Sequence, residues 1–435
     1  MTAAPARRND AAVPLAPARL QTLQTLGIFC GLAAGAWLGG AEAPTKLVTI
    51  GLSPIVISLG MVIGVFLARW TVPALVQGTS SVARDLRAAP HLIVWAVLAG
   101  CLWAVANTLT IYAVRDVGLS IAFPLWNSNS LLGIVWGIVF FRELRGATPG
   151  RWMAVVGGAL LMFIGAVQLA LVSAMHMPAM DARRGITAAL AAGVLWGTMY
   201  IPYRKAYLTG MSPLSFVTFF TVGELATMLA LALGESGGLA ALGHDLAAAR
   251  HVLFWLLLGG FVWVIGDLFQ QYAVKYAGIT RGIPLSNTNQ LWGLLWGILV
   301  FGELRAAGSG AILRVVLVSI VMAGGAGLIA LASVEESEHR RWDEARARET
   351  ARYGVDPRFT SARAAGADPD AGAPRRRAVD WLIALVATVT LIAFGLMAAA
   401  PQIAFSGWAM MFLVVVMVVI AGACGAALWR RTRFN

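Results

Sequence analysis

The sequence predicts an all-α polytopic membrane protein, a ten-helix inverted repeat (5+5) plus two extra C-terminal transmembrane helices. Three observations carry this expectation. Of 435 residues, 59% are hydrophobic and only 12% charged, against roughly 25% charged in a soluble domain. Tyr112 to Arg145 returns 160 positions later as Tyr272 to Arg305, with 17 identities in 34 ungapped positions. Apolar windows fall five to each copy, and an odd number forces the second copy to enter the bilayer from the opposite face.

Taken in order, residues 1–21 form an Ala/Pro-rich tail with Arg7, Arg8 and Arg19. The apolar run from Leu20 to Gly40, followed by Ala-Glu-Ala, has the outline of a signal peptide. It belongs instead to the duplication, because GLSP at 51–54 matches GMSP at 210–213 and Lys46 falls opposite Lys205. The first five-helix repeat spans 22–173, with windows at 22–40, 47–69, 91–114, 118–141 and 151–173. The second spans 185–333, with windows at 185–203, 212–234, 251–274, 278–301 and 311–333. Each is about the 20 residues that cross a ~30 Å apolar core. A linker at 335–377 holds ten arginines and is expected to be helical to about Arg352 and disordered beyond. An additional two-helix hairpin, 378–435, has apolar windows at 379–399 and 405–429 with no counterpart in the repeats.

The net charge of +12 does not indicate nucleic acid, because the basic residues flank apolar runs. With the N-terminus inside, 26 of the 33 Lys/Arg lie in inner segments, Arg69 to Arg87 among them. Both termini and the linker are therefore expected in the cytoplasm, and the lipid bilayer is the chain's environment. Only three of the 33 basic residues are lysines, a bias that suits a bacterial genome and so an inner (plasma) membrane. Cys30, Cys101 and Cys424 have no paired spacing, so neither a disulfide nor a metal site is indicated. No P-loop or nucleophile motif is present and no cofactor is implied, which disfavours an enzyme. A membrane sensor is disfavoured because a 43-residue linker is too short for an output domain.

The candidate residues lie at membrane depth. Asn127, Asn129, Asn287 and Asn289, with Gln290, place donors and acceptors where an unsatisfied polar group costs several kcal/mol. Amides match the vicinal hydroxyls of a sugar-like ligand, and equally they can bond helix to helix. Asn127 and Asn129 are about 200° apart on an ideal helix, so Asn127 with Asn287 and Asn129 with Asn289 are expected as two pairs, one in a cavity and one in the interface. Pro124 and Pro284 precede these runs and kink the helix. Gly133 with Gly137 and Gly293 with Gly297 have GxxxG spacing and are expected at close crossings. Trp136 and Trp296 are expected to pack, whereas Trp103 and Trp263, one turn before Asn107 and Asp267, are the stacking candidates. Glu224 and Asp267 sit inside apolar windows opposite Val65 and Asn107, as candidates for proton coupling or as neutral carboxyls bonded to a neighbouring helix. Glu143 and Glu303 are expected in interfacial ion pairs with Arg145 and Arg305.

The ten-span duplication, the LWGTMYIPYRK run at 195–205 and the paired NSN and NTN segments, ending in WGIVFFRE and WGILVFGE, resemble the drug/metabolite transporter superfamily. Within it they are most similar to the glucose/ribose porter (sugar transporter) branch. The resemblance covers about 22–333 and implies an alternating-access carrier with a central cavity and sugars as substrates. The expectation is thus a proton-coupled transporter of a sugar or sugar-like polar metabolite. The alternative within the superfamily is a drug or metabolite exporter, for which a more apolar centre than four asparagines is expected.

Overall fold

The computed structural model describes residues 17–41, 43–44, 52–117, 122, 125–174, 182–302, 308–332, 334, 336–367, 376–400 and 403–435, and they are helical with no strand among them. The first copy comprises α1 (Pro17–Gly40), α2 (Pro54–Val76), a short α3 (Thr79–Ala88), α4 (Leu92–Val117), α5 (Asn129–Phe141) and α6 (Pro149–Ala174). The second comprises α7 (Ala182–Leu208), α8 (Pro213–Ser236), α9 (Leu239–Ala248), α10 (Leu253–Ala277), α11 (Ile279–Ser286), α12 (Asn289–Leu295) and α13 (Ser309–Leu331). Helices α14 (Glu336–Tyr353) and α15 (Pro357–Ala364) form the linker, and α16 (Ala378–Met397) and α17 (Gly407–Thr432) the final hairpin. Ten of these are long and apolar enough to cross a membrane. The chain is an all-α, multi-pass membrane protein.

Caps set where α2 and α8 begin. The Ser53 hydroxyl accepts from the Ile55 amide at 3.3 Å, and the Ser212 hydroxyl from the Ser215 amide at 3.2 Å. Each is followed by a proline at the first helical position, where a missing N–H loses nothing. Helix α2 therefore starts at Pro54 and runs to Val76 rather than ending at 69, which carries Arg69 inside the helix.

The fourth segment of each copy is broken. In the second copy α11 contains Pro284 and stops at Ser286, two turn residues intervene, and α12 resumes at Asn289 before a π-helical turn, Trp296–Val300. In the first copy Asn127 and Ser128 form the turn before α5. Pro124 lies outside the described residues.

Packing crosses between the copies. Helix α4 packs on α7 and α8, α10 packs on α1 and α2, and α2 meets α8 as α6 meets α13. Glycines set the closeness. A Cβ at Gly64 would lie 2.1 Å from the Leu257 carbonyl oxygen, and one at Gly223 2.2 Å from that of Val97. A Cβ at Gly100 or Gly260 would lie 2.0 Å from the carbonyl oxygen of Phe220 or Met61. Each contact is the other's counterpart at the duplication offset of 159 or 160, so one interface is built twice from bare backbone.

Over Tyr353 to Ala367 the linker corrects the expectation of disorder beyond Arg352, while residues 368–375 lie outside the described residues. Asp356 caps α15 by accepting from the Arg358 amide at 2.8 Å. Arg363, 1% exposed, bonds Asp85 at 2.6 Å, and Asp85 in turn accepts from the Ser212 amide at 3.1 Å. Composition signalled a solvated segment, but these charged residues have buried partners. Phe434 and Asn435 lie against the same face, where the Gln77 side chain and the Tyr272 hydroxyl both donate to the Phe434 carbonyl, at 2.8 and 2.7 Å. Helix α16 packs on α2 and α10, and α17 on α1. There Cys30 and Cys424, both free thiols, touch at 3.4 Å.

Candidate functional site

The two helix breaks meet at the centre of the bundle. Gly39 of α1 receives the break of the second copy, where a Cβ would lie 2.4 Å from the Asn289 carbonyl oxygen. Gly197 of α7 receives that of the first, at 3.1 Å from the Asn129 carbonyl oxygen. The hydroxyls of Ser128, Ser130, Ser286 and Thr288 all bond carbonyls three residues back, at 2.7–3.1 Å. They therefore satisfy the backbone that the breaks release.

The amides remain. Asn287 donates from Nδ2 to the Asn127 carbonyl and to Asn129 Oδ1, both at 3.4 Å. Asn127 Nδ2 and Asn289 Oδ1 are buried with no partner among the described residues. The division expected between two symmetric pairs instead runs across them, with Asn129 and Asn287 bonding copy to copy while Asn127 and Asn289 hold an unused donor and an unused acceptor. Gln290 is buried beside them in sequence.

A second polar cluster joins three helices. Arg69 of α2 donates from Nη1 to Glu224 Oε2 of α8 at 2.6 Å and from Nη2 to Asp267 Oδ2 of α10 at 2.7 Å, with all three side chains fully buried. Gln271 Nε2 donates to Asp267 Oδ2 at 2.7 Å and Tyr203 to Asp267 Oδ1 at 3.5 Å, while the Phe220 ring covers the guanidinium at 4.0 Å. Both acids singled out from the sequence are thus brought together, by a residue that was counted with an inner flank. The Ser-Pro cap at 53–54 was the signal that placed Arg69 inside its helix.

Trp103 and Trp263 pack on each other edge to face, ring centroids 5.0 Å apart. Asn107 donates to Ser58 at 2.8 Å, and Ser58 to the Met228 sulfur at 3.2 Å. Trp296 is buried, and Trp136 leans on Phe140 at 5.3 Å between centroids, both as packing residues. Gly137 lies at a close crossing, where a Cβ would lie 2.6 Å from Thr280 Cγ2, and one at Gly133 would lie 3.3 Å from Ile279 Cγ2.

Glu143 does not form the expected pair with Arg145. Arg142 and Leu144 adopt positive φ, 56° and 59°, and Glu143 between them is fully buried. It accepts from the Ile279 and Thr280 amides at 3.2 and 2.9 Å and pairs with Arg204 at 3.0 Å. A carboxylate there faces the positive end of α11. Glu303 and Arg305 lie outside the described residues.

The family model described as sugar transport protein matches residues 47–172 and 187–351. A ribose uptake protein, RbsU, of Lactiplantibacillus plantarum is 28% identical over 287 residues, which cover 65% of this chain and 91% of that one. A glucose uptake protein, GlcU, of Staphylococcus aureus is 22% identical over 226 residues, covering 49% and 70%. A transmembrane protein 144 homolog of Dictyostelium discoideum is 26% identical over 125 residues, covering 28% and 34%.

Proposed function

The chain belongs to the sugar transport protein family, and from that premise we propose that it is a secondary carrier moving a monosaccharide or similar polyol across the bacterial inner membrane, driven by protons. The observation that carries this reading is the unused pair at the asparagine centre, the Asn127 amide donor and the Asn289 carbonyl acceptor. Leaving such groups unpaired costs about 1–3 kcal/mol each. The hydroxyls of a sugar both donate and accept, and so match the two groups in kind. The relatives named for ribose and glucose uptake support that ligand class.

The crossed packing, in which α4, α7 and α8 form one set and α1, α2 and α10 the other, supports alternating access. Rocking one set against the other opens the centre to either side. Coupling runs through Arg69, which holds two carboxylates at once. A proton on Glu224 or Asp267 removes one arm of that bridge and lets the helices part. With Arg69 set inside its helix, 25 of 33 basic residues lie on the N-terminal side, so both termini and the linker are cytoplasmic.

The test is uptake of a labelled sugar panel into proteoliposomes with and without a pH gradient, for the parent protein and for Glu224→Gln and Asp267→Asn. The expected result is gradient-driven accumulation of one sugar class by the parent, with at least one amide variant reduced to exchange. Uptake of no sugar overturns the substrate class. Accumulation undiminished in both variants overturns the coupling.

A further inference from the structure

Where α14 and α15 cover the ends of α1, α7 and α10, they enclose a cavity of about 50 Å³ lined by Arg204, Tyr207, Lys275, Trp342, Asp343 and Arg346, among others. Three N–H groups of these lining residues, Arg204 Nη2, Trp342 Nε1 and Arg346 Nε, are buried with no acceptor among the described residues. Arg204 is 2% exposed and Trp342 7%, so bulk water does not reach them.

The nearby acceptors are committed elsewhere. Asp343 Oδ1 accepts from Arg346 Nη2 at 2.5 Å, and Glu143 Oε1 pairs with Arg204 Nε at 3.0 Å. The Tyr207 hydroxyl donates to Gln271. The Trp342 ring face is occupied by the Arg204 guanidinium, 4.2 Å from its centroid. Arg204 and Arg346 thus each keep a buried, unmatched N–H although each also pairs with a carboxylate, Glu143 and Asp343 respectively.

A cavity of about 50 Å³ holds a few waters, at roughly 10–15 Å³ each, or one small polyatomic ion. Waters would bring further donors into a wall already short of acceptors. We propose that the cavity is an oxyanion site, for inorganic phosphate or for the phosphoryl group of a phosphate monoester. A phosphoryl group offers several acceptor oxygens in a compact tetrahedron, and its negative charge suits guanidinium donors. The core helices supply Arg204 and Lys275 while α14 supplies Trp342 and Arg346, so the bound anion clasps the linker to the transport bundle. This site is independent of what the bundle carries.

Free phosphate and the phosphate of an anionic lipid headgroup share this chemistry, and the experiment separates them. The thermal midpoint of the full chain in detergent is measured against inorganic phosphate, with chloride matched for ionic strength, and separately against short-chain phosphatidic acid. The parent is expected to show a saturable rise with phosphate beyond chloride; a rise with phosphatidic acid alone assigns the site to lipid. Trp342→Phe keeps the ring and removes the N–H, and Arg346→Gln removes a surface-edge cation. Either is expected to raise the half-saturating concentration roughly tenfold or more without moving the ligand-free midpoint. Native mass spectrometry should lose the phosphate adduct in parallel. No shift beyond chloride with either ligand, or the same shift in parent and both variants, overturns the proposal.

Discussion

The half of the bundle beside the linker and the opposite half are built from the same duplicated backbone but closed by different chemistry. Beside the linker, Arg69 bridges Glu224 and Asp267. At the corresponding positions of the other half stand Met228, Val65 and Asn107; there Asn107 donates to Ser58 at 2.8 Å, and the Met228 sulfur accepts from Ser58 at 3.2 Å and from Thr108 at 3.6 Å. Trp263 and Trp103 are counterparts and meet each other between the two halves. Duplication thus conserved the helix crossings while the closures diverged. Neutral contacts of this kind are worth about 0.5–1.5 kcal/mol each, whereas a buried charge stripped of its partner costs about 3–5 kcal/mol. The ionic half is the harder to part and, on the proposed coupling, the one that a proton loosens.

The largest expected effect therefore comes from Arg69→Met, which installs the Met228 side of the comparison alone and leaves two buried carboxylates facing each other. A loss of about 3–5 kcal/mol should appear as a collapse of the thermal midpoint and of monodisperse protein. The triple variant Arg69→Met, Glu224→Val, Asp267→Asn copies these three positions of the opposite half, with Val217 standing where that half has Ser58. It should regain most of that stability yet give pH-independent transport. Parental stability in the single variant would break the contrast between the halves.

Next in size, Asn127→Ala and Asn289→Ala should weaken substrate binding by about 1–3 kcal/mol each, or roughly 5-fold to 150-fold. Asn287→Ala, which breaks the bond between copies, should lower stability by roughly 0.6 kcal/mol per bond and spare affinity more. Ligand affinity and melting temperature measured side by side separate the two roles. Equal affinities in all three variants would put the substrate elsewhere.

Smaller again is Met228→Leu, a volume-conserving change in the neutral closure, expected to cost under about 1.5 kcal/mol in denaturation. A penalty rivalling that of Arg69→Met would mean that the neutral closure is as strong as the ionic one.

The smallest effect concerns the linker. Burial holds the His91 imidazole below its ordinary value of 6.5, with Lys205 acting in the same direction and Glu349 against it. The ring stacks on Tyr353 with centroids 3.8 Å apart. The docked state therefore favours neutral imidazole, and its contribution is present above the ordinary value and lost as the pH falls below it. Proteolysis of the linker should speed up modestly from about pH 7.5 to about pH 5.5, and His91→Phe should flatten the profile.

Composition and the duplication by themselves determined the all-α membrane class, the pairing of the two copies and the asparagine runs at the helix breaks. Hydropathy and repeated identity are properties of the chain in one dimension, and a bilayer leaves backbone few ways to cross it. The partner of a buried charge is not such a property. Arg69 reaches Glu224 and Asp267 across 155 and 198 positions, because a glycine-mediated crossing brings α10 against α2 and α8 packs on α2 as well. Glu143 lies next but one to Arg145 yet finds Arg204 of the other copy, because two residues of positive φ turn it inward. The docked linker likewise depends on buried partners as distant as Asp85 for Arg363. Only the tertiary structure decided these, since the low dielectric that makes each pair obligatory exists only once the helices have packed.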